Sequence, residues 1–420
     1  MSEETLVGIH ARRAWRAVET APHSVARAGN GRAVETAPTG MRHEVHLRGL
    51  DGEGQEAEVA LLSEMLEHYS PSGQERAQAE WLTQRLAGLG LRLEVDSVGN
   101  IIAELAATVD DREAGAPIVL LGHADTVAGF IPVRREGDHL YGRGAVDAKG
   151  PLAAFLCAAI RLAQRDQPRR RAVIVVGAVE EEAATSAGAR AVLGRWRPAY
   201  CIVGEPSGAD GVTLGYKGRL LVHSRHEQPV AHTARPQESA SARAVEFWRA
   251  LVAQAEGWNA GRHTISLFDE LQPSLRSINS RSDGFTEVCE MEIGYRLPPT
   301  LTPDEVAEMV QRAARTYGAQ VESRGAECAY NGPRSGKLVG AFVRAMRAEG
   351  LDPTFKRKTG TSDMNVVAPV WRCPIVAYGP GDAALDHTPQ EHIELTEFAQ
   401  GVAILECVLA SLTAEEVAPC

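Results

Sequence analysis

Three strings and two isolated residues supply the side-chain types that bind cations and move protons. Leu121 to Val127 reads Leu-Gly-His-Ala-Asp-Thr-Val, so His123 is followed two residues later by Asp125. A ligating imidazole commonly donates its other N–H to a carboxylate, which fixes tautomer and ring orientation, and Asp125 can be that partner. The same pattern also suits a surface loop or helix cap, so it decides nothing alone. Gly142 to Gly150 reads Gly-Arg-Gly-Ala-Val-Asp-Ala-Lys-Gly, whose glycines permit close approach of a phosphate. A phosphate loop needs Gly-Lys followed by Ser or Thr, whereas Lys149 is followed by Gly150 and Pro151. Asp147 reads better as a carboxylate held in a constrained turn to bridge two cations. Glu180-Glu181-Glu182 follows an apolar run. An acidic triplet ordinarily marks a solvated helix start facing the positive dipole end. Neighbouring side chains diverge, however, so one carboxylate can bind a cation while the next accepts a proton from water. Glu205 in Val-Gly-Glu-Pro-Ser and His387 in Leu-Asp-His-Thr-Pro complete a set of N and O donors suited to Zn²⁺, with Co²⁺ or Mn²⁺ as alternatives.

These residues need strands to position them. From about residue 56 the pattern alternates helix and strand, with amphipathic helices at Val59 to Tyr69 and Arg76 to Leu86 around a Pro-Ser-Gly turn. The apolar runs Pro117 to Leu121, Ala172 to Val179 and Tyr200 to Val203 read as buried strands of a largely parallel sheet, and a helix is predicted over Pro151 to Ala163. Each run ends at an acidic or His-bearing loop, and open α/β sheets bind ligands at the carboxyl ends of their strands. Between 208 and 324 the order changes to strand (Gly218 to Ser224), helix (Ser239 to Ala255), strands (His263 to Asn279, Thr286 to Leu297), helix (Pro303 to Tyr317) and strand (Ala319 to Ser323). This βαββαβ series predicts an inserted α+β domain. The chain then returns to α/β with helix Lys337 to Glu349, strand Pro374 to Tyr378 and helix Glu394 to Leu412, so residues 41–207 and 325–420 form one discontinuous domain around the insert 208–324.

At 420 residues, two domains are expected, and 44% hydrophobic with 24% charged residues gives both a core and solubility. A net charge of −11 argues against nucleic acid as a partner. No window approaches the roughly 20 apolar residues that span a bilayer, so no membrane partner is expected. The seven cysteines, odd in number and without a C-x-x-C pair, fit reduced thiols in the cytoplasm. Residues 1 to 40 repeat Arg-Ala-Val-Glu-Thr-Ala-Pro at Arg16 to Pro22 and Arg32 to Pro38 and bury little, reading as a disordered leader or as translation from a start upstream of Met41. Glu3, Glu4, Glu19 and Glu35 count against an Arg-rich transit peptide.

The series His123-x-Asp125, Asp147, Glu181-Glu182, Glu205 and His387, with a βαββαβ insert between the last two, resembles the M20 family of metallopeptidases and deacylases over nearly all of residues 56 to 415. The resemblance implies a zinc-peptidase-like catalytic domain with a mainly parallel sheet and a ferredoxin-like lid that also dimerises. It implies one cation on His123, Asp147 and Glu205 and another on Asp147, Glu182 and His387, with Asp125 orienting His123 and Glu181 acting as general base. His232, in Ala-His-Thr-Ala, matches the histidine that such lids send to the partner subunit. Arg296, in Tyr-Arg-Leu-Pro, matches the lid arginine that holds a substrate carboxylate, and Thr359 to Asp363, with Gly360, Thr361 and Ser362, resembles the substrate-pocket turn. His223, His226 and His263 read only as surface strand-end histidines.

Arg143 to Ala154, Val179 to Glu182, Gly215 to Leu220 and Lys358 to Asn365 look like the corresponding strings of the amino-group carrier protein (LysW)-lysine hydrolases. That resemblance implies hydrolysis of the amide between the C-terminal glutamate side chain of an acidic carrier protein and lysine or ornithine, in lysine or arginine biosynthesis. An N-acetylornithine or N-acetyl-lysine deacetylase shares the ligands. A non-catalytic interaction protein of the same fold would lack Glu181 or a ligand, and all are present. An acidic carrier needs local positive surface on an acidic enzyme. Arg134, Arg135, Lys217, Arg219, Lys356, Arg357 and Lys358 are the candidates.

Overall fold

The computed structural model describes residues 54–110, 113–232, 238–262 and 266–414, all within one unit. The leader read at residues 1 to 40 and His263 lie outside the described residues. In chain order the first part comprises α1 (Gly54–Glu67), α2 (Arg76–Arg85), β1 (Arg92–Val95), β2 (Ile101–Leu105), β3 (Gly115–His123), β4 (Arg134–Glu136), β5 (His139–Tyr141), α3 (Lys149–Ala163), β6 (Arg171–Ala178), α4 (Ala187–Val192), β7 (Tyr200–Val203) and β8 (Gly211–Tyr216). Next come β9 (Gly218–Pro229), α5 (Ala240–Ala260), β10 (Gln272–Ser282), β11 (Thr286–Leu297), α6 (Pro303–Tyr317) and β12 (Gln320–Glu327). The chain closes with β13 (Tyr330–Asn331), α7 (Lys337–Ala348), β14 (Thr354–Lys358), α8 (Asp363–Trp371), β15 (Ile375–Ala377), β16 (His392–Glu394) and α9 (Leu395–Thr413).

A nine-stranded sheet in the order β1-β2-β6-β3-β7-β15-β8-β13, with β14 beside β8, forms the central layer. Its middle strands β6, β3, β7 and β15 run parallel, and antiparallel pairs flank them. The apolar runs are buried on both sides. Ile118, Leu120, Val173 and Val175 face a core shared with α1, α3, α7 and α9, while Val119, Leu121, Ile174 and Val176 face α4 and α8. Period-two alternation thus divides one hydrophobic run between two helical layers. The apolar helix α9, 19 residues at mean hydropathy 1.5, is long enough to cross a membrane, contrary to the reading of the sequence. It packs on α3 and α7, with Phe398, Val402, Leu405 and Leu409 in the core.

The inserted segment forms a four-stranded sheet, β10-β11-β9-β12, antiparallel throughout, with α5 and α6 over one face. This is a ferredoxin-like layout. Its boundaries follow local rules: Thr302 and Glu305 make a capping box at the start of α6, Pro303 follows, and Gly318 ends it in the left-handed region. The strand expected from His263 starts only at Gln272. Ser266 instead accepts from Phe268 N–H to open a short 3-10 turn, whose Leu267 carbonyl is held by Lys217 Nζ at 2.8 Å.

The chain passes into the insert at Lys217 and out of it at Cys328. Asn365, in the first turn of α8, donates to both carbonyls, at 3.2 Å to Lys217 and 2.7 Å to Cys328.

Candidate active site

His123 is the last residue of β3, the Glu180-Glu181-Glu182 run follows β6, and Glu205 lies just beyond β7. Three parallel strands therefore deliver their loops to one edge of the sheet. Asp147 stands two residues before α3, on a turn where Gly144 has φ +89°, and a Cβ there would meet Thr126 at 2.8 Å. His387 comes from the segment between β15 and β16.

The six side chains converge as two triads, His123 with Glu181 and Glu205, and Asp147 with Glu182 and His387, the donor atoms of each lying within 4.8 Å of one another. Asp147 joins them: Oδ1 is 3.2 Å from His123 Nε2, and Oδ2 is 3.1 Å from His387 Nε2. His387 Nε2 is also 2.9 Å from Glu182 Oε1. Two imidazoles and four carboxylates, with His123 and Glu205 buried, Asp147, Glu181 and Glu182 half-buried and His387 exposed, form a donor set that fits two divalent cations. Uncompensated, so many buried carboxylates would be costly.

The electrostatics express that cost. Burial, with Asp147 alongside, pushes Glu205 up to about 8. Burial also pushes Glu181 well above the usual carboxylate range, reinforced by Glu205, Asp363 and Glu182 and opposed by His123. Hydrogen bonds to Asp147 and Glu182 raise His387 to about 10. Burial opposes charge on His123, yet its bonds to Asp125 and Asp147 hold it well above the ordinary imidazole range.

Asp125 does more than back His123. Its Oδ1 lies 3.4 Å from His123 Nδ1, which also contacts the Asp125 carbonyl oxygen at 3.0 Å. The same carboxylate accepts from the backbone N–H groups of Glu181 and Glu182, both at 3.0 Å, and from Ser72 Oγ at 2.7 Å. Glu75 likewise accepts from Glu180 N–H at 3.1 Å. Glu180 and His387 sit at φ 57° and 61°, left-handed conformations that cost about 1–3 kcal/mol each unless surrounding contacts hold them.

Arg296, on β11, donates to Thr361 Oγ1 in the turn before α8, and Glu181 is close enough to influence its charge. Gly360 and Thr361 are half-buried. Ser362 is buried and serves as the N-cap of α8, accepting from Met364 N–H at 3.2 Å. His232 is not brought to this centre. It lies exposed beyond the far end of β9, and a twelve-residue strand separates it from the crossover by on the order of 40 Å.

Most of the basic residues read from the sequence as a docking surface have other partners. Lys217 is fully buried and holds the oxygens of Leu267, Glu270 and Gln272. Arg134 pairs with Glu136, Arg135 with Glu56, Arg357 with Asn331, Arg219 with Gly325 and Lys356 with the Ser207 carbonyl. Lys358 stands nearer the centre, where its charge lowers Glu205. Sequence reading passed over the buried carboxylates Glu75 and Glu391. The signal available for Glu391 was its place four residues after His387, within the same segment.

Residues 119–411 match the profile described as peptidase family M20/M25/M40. A Deinococcus radiodurans protein named LysW-lysine hydrolase is 42% identical over 351 residues, which cover 82% of this chain and 93% of that protein. A LysW-lysine/LysW-ornithine hydrolase from Saccharolobus solfataricus is 27% identical, covering 81% and 92%. Among solved structures, a Staphylococcus aureus tripeptidase superposes with a TM-score of 0.70 at 16% identity, over 86% of this chain and 99% of that one. An M20 family metallo-carboxypeptidase from Sulfolobus solfataricus does so with 0.69 at 18%, over 84% and 98%.

Proposed function

The chain belongs to peptidase family M20/M25/M40, and we propose that it hydrolyses the amide joining the C-terminal glutamate side chain of an acidic amino-group carrier protein, of the LysW type, to lysine or ornithine. The amino acid leaves free. The observation that carries this reading is the 42% identity to a LysW-lysine hydrolase along 93% of that protein's length.

In this reading His123, Asp147 and Glu205 hold one divalent cation and Asp147, Glu182 and His387 hold another, Zn²⁺ first and Co²⁺ second. Bound cations supply Lewis acidity, polarising the scissile carbonyl and lowering the pKa of water. Glu181, with its high proton affinity and its place beside His123 and Glu205, takes the water proton and returns it to the departing amine. Asp125 fixes the imidazole of His123 and the peptide of Glu181 together. Arg296 and the Gly360-Thr361-Ser362 turn hold the carboxylate of the leaving amino acid.

Because β8 joins the central sheet and β12 the smaller one, the lid bounds expected at 208 and 324 move to the crossovers: the catalytic part is residues 41–216 with 329–420, and 217–328 form a lid through which two chains pair. His232 then reaches the partner's centre and stabilises the oxyanion, a contribution of about 3 kcal/mol. Its distance from its own crossover supports this assignment. The six described cysteines, all free thiols, support a cytoplasmic setting.

The test is turnover of lysine-loaded carrier, ornithine-loaded carrier and N-acetylornithine by the cation-loaded protein, followed by mass spectrometry. Release of lysine or ornithine from the carrier is the expected result. Turnover of the acetyl compound alone sinks the carrier reading.

A further inference from the structure

Glu391 is wholly buried, lies four residues beyond His387 and has no place in the ligand set above. Its Oε1 accepts from three successive points of one turn, the N–H groups of Gly144 at 3.0 Å, Val146 at 3.0 Å and Asp147 at 3.1 Å. Its Oε2 accepts from Arg143 Nη1 at 2.7 Å, and Arg143 Nε donates in turn to the Gly129 carbonyl at 2.9 Å. The Glu391 carbonyl itself accepts from Gly142 N–H at 3.3 Å. A carboxyl group tolerates such burial only with hydrogen-bond partners of this number and quality.

The three N–H groups belong to the turn that ends in Asp147. Asp147 divides its two oxygens between His123 and His387. The backbone of Glu391 belongs to the segment carrying His387. One side chain therefore fastens the Asp147 turn to the His387 segment across 244 residues of sequence.

We propose that Glu391 is a positioning residue that sets the distance and angle between Asp147 and His387, and through them the spacing of the two cations. The proposal rests on the reading of Asp147 and His387 as cation ligands. Partners that orient ligands in this way are worth about 10- to 100-fold in metal affinity or activity.

The experiment strips wild-type protein and Glu391→Gln of metal, then titrates each with Co²⁺, reading calorimetric affinity and visible absorption beside kcat and KM. Glutamine offers one acceptor oxygen to two sets of donors, so either the three N–H groups or the guanidinium loses its acceptor. The expected result is that the cation shared by Asp147 and His387 binds at least about tenfold more weakly and its absorption band shifts. With it, kcat falls while KM stays within about twofold. Adding Arg143→Met frees the amide oxygen to face the three N–H groups, and Co²⁺ affinity returns to within about threefold of wild type.

Wild-type affinity with an unshifted spectrum in Glu391→Gln overturns the proposal, whatever the melting temperature does. So does a folded double variant without recovery. If Glu391→Gln alone does not fold, the double variant is judged by the same criteria. Wild-type protein that takes up no Co²⁺ overturns the ligand reading and this proposal with it, so the two failures are told apart by which protein fails.

Discussion

Glu205 and Glu290 carry the same side chain on two sheets of one chain, and their proton affinities differ widely. Glu205, at the carboxyl edge of the nine-stranded sheet, is buried beside Asp147 and pushed up to about 8. Glu290, on the uncovered face of the four-stranded sheet, accepts from Arg281 and Arg225 and is held down to about 2. His223, Glu292 and Arg324 extend that face as a second group of matched charges. The open face neutralises itself with its own arginines in water. The strand-end cluster has carboxylates facing one another with too few cationic side chains, which is the condition that bound metal relieves.

The sharpest way to break the contrast is Glu181→Gln, which leaves the buried cluster in place and removes only its proton acceptor. Turnover is expected to fall by about 10³-fold or more while cation content, by elemental analysis, stays at the wild-type value. A loss below about tenfold would show that proton transfer lies elsewhere.

Arg296→Ala comes next. It removes a guanidinium that the lid sends to Thr361, near enough to Glu181 to feel its charge. An increase in KM on the order of tenfold to a hundredfold is expected, corresponding to about 1.5–3 kcal/mol for a charged hydrogen bond, with a smaller change in kcat. Steady-state kinetics on the loaded carrier decide it, and an unchanged KM counts against carboxylate recognition by this residue.

Removing metal should make the cluster's cost visible as a pH dependence. Glu205 is raised to about 8, and burial raises Asp363 and Asp386 to about 7, so between the unfolded carboxylate range near 4 and these values the folded protein binds more protons than the unfolded chain. These carboxyls make stability fall as pH rises through that window, and Lys149 and Lys217, lowered by burial to about 7 and about 8, oppose the fall only above those values. His387, raised to about 10, acts in the same direction as the carboxyls: its contribution is fully present below its unfolded value near 6.5 and is lost as pH climbs toward 10. Metal-free protein is therefore expected to lose on the order of 5 °C or more in melting temperature between about pH 6 and pH 9, and added Zn²⁺ or Co²⁺ to reduce that loss. A flat profile in chelator would contradict the assignment of cost to the cluster.

The smallest effect belongs to the other region. Glu290→Gln on the open face should change stability by less than about 1 kcal/mol, because exposed ion pairs are screened and cost side-chain entropy. Denaturant unfolding checks this, and a larger loss would mean that the ladder is structural.

Much of this arrangement was legible in the sequence because it follows local rules. Apolar runs that end in His123, Glu180 to Glu182 and Glu205 are strands delivering loops, and the Thr302-Pro303-Glu305 start of α6 is a capping signature. The contacts that hold the loops were not legible. Glu391 meets Asp147 across 244 residues, and Glu75 meets Glu180 across 105, in both cases through backbone N–H groups that leave no side-chain pattern. Lys217 read as a surface cation because its partners are carbonyls in a turn fifty or more residues away. The strands β4, β5 and β16 are three residues each, too short to carry a period.

The paired crossovers at Lys217 and Cys328 bear on how the chain finds its fold. His387 and α9 must join a sheet whose first strands lie more than two hundred residues earlier, a separation that would slow assembly if the intervening chain were slack. The excursion from β9 to β12 instead begins and ends at carbonyls held by one asparagine, so its two ends are already neighbours. Closing such a loop costs only about 0.6 kcal/mol more for each doubling of its length. The excursion can therefore lengthen or shorten with little entropic consequence for the sheet that carries the metal ligands.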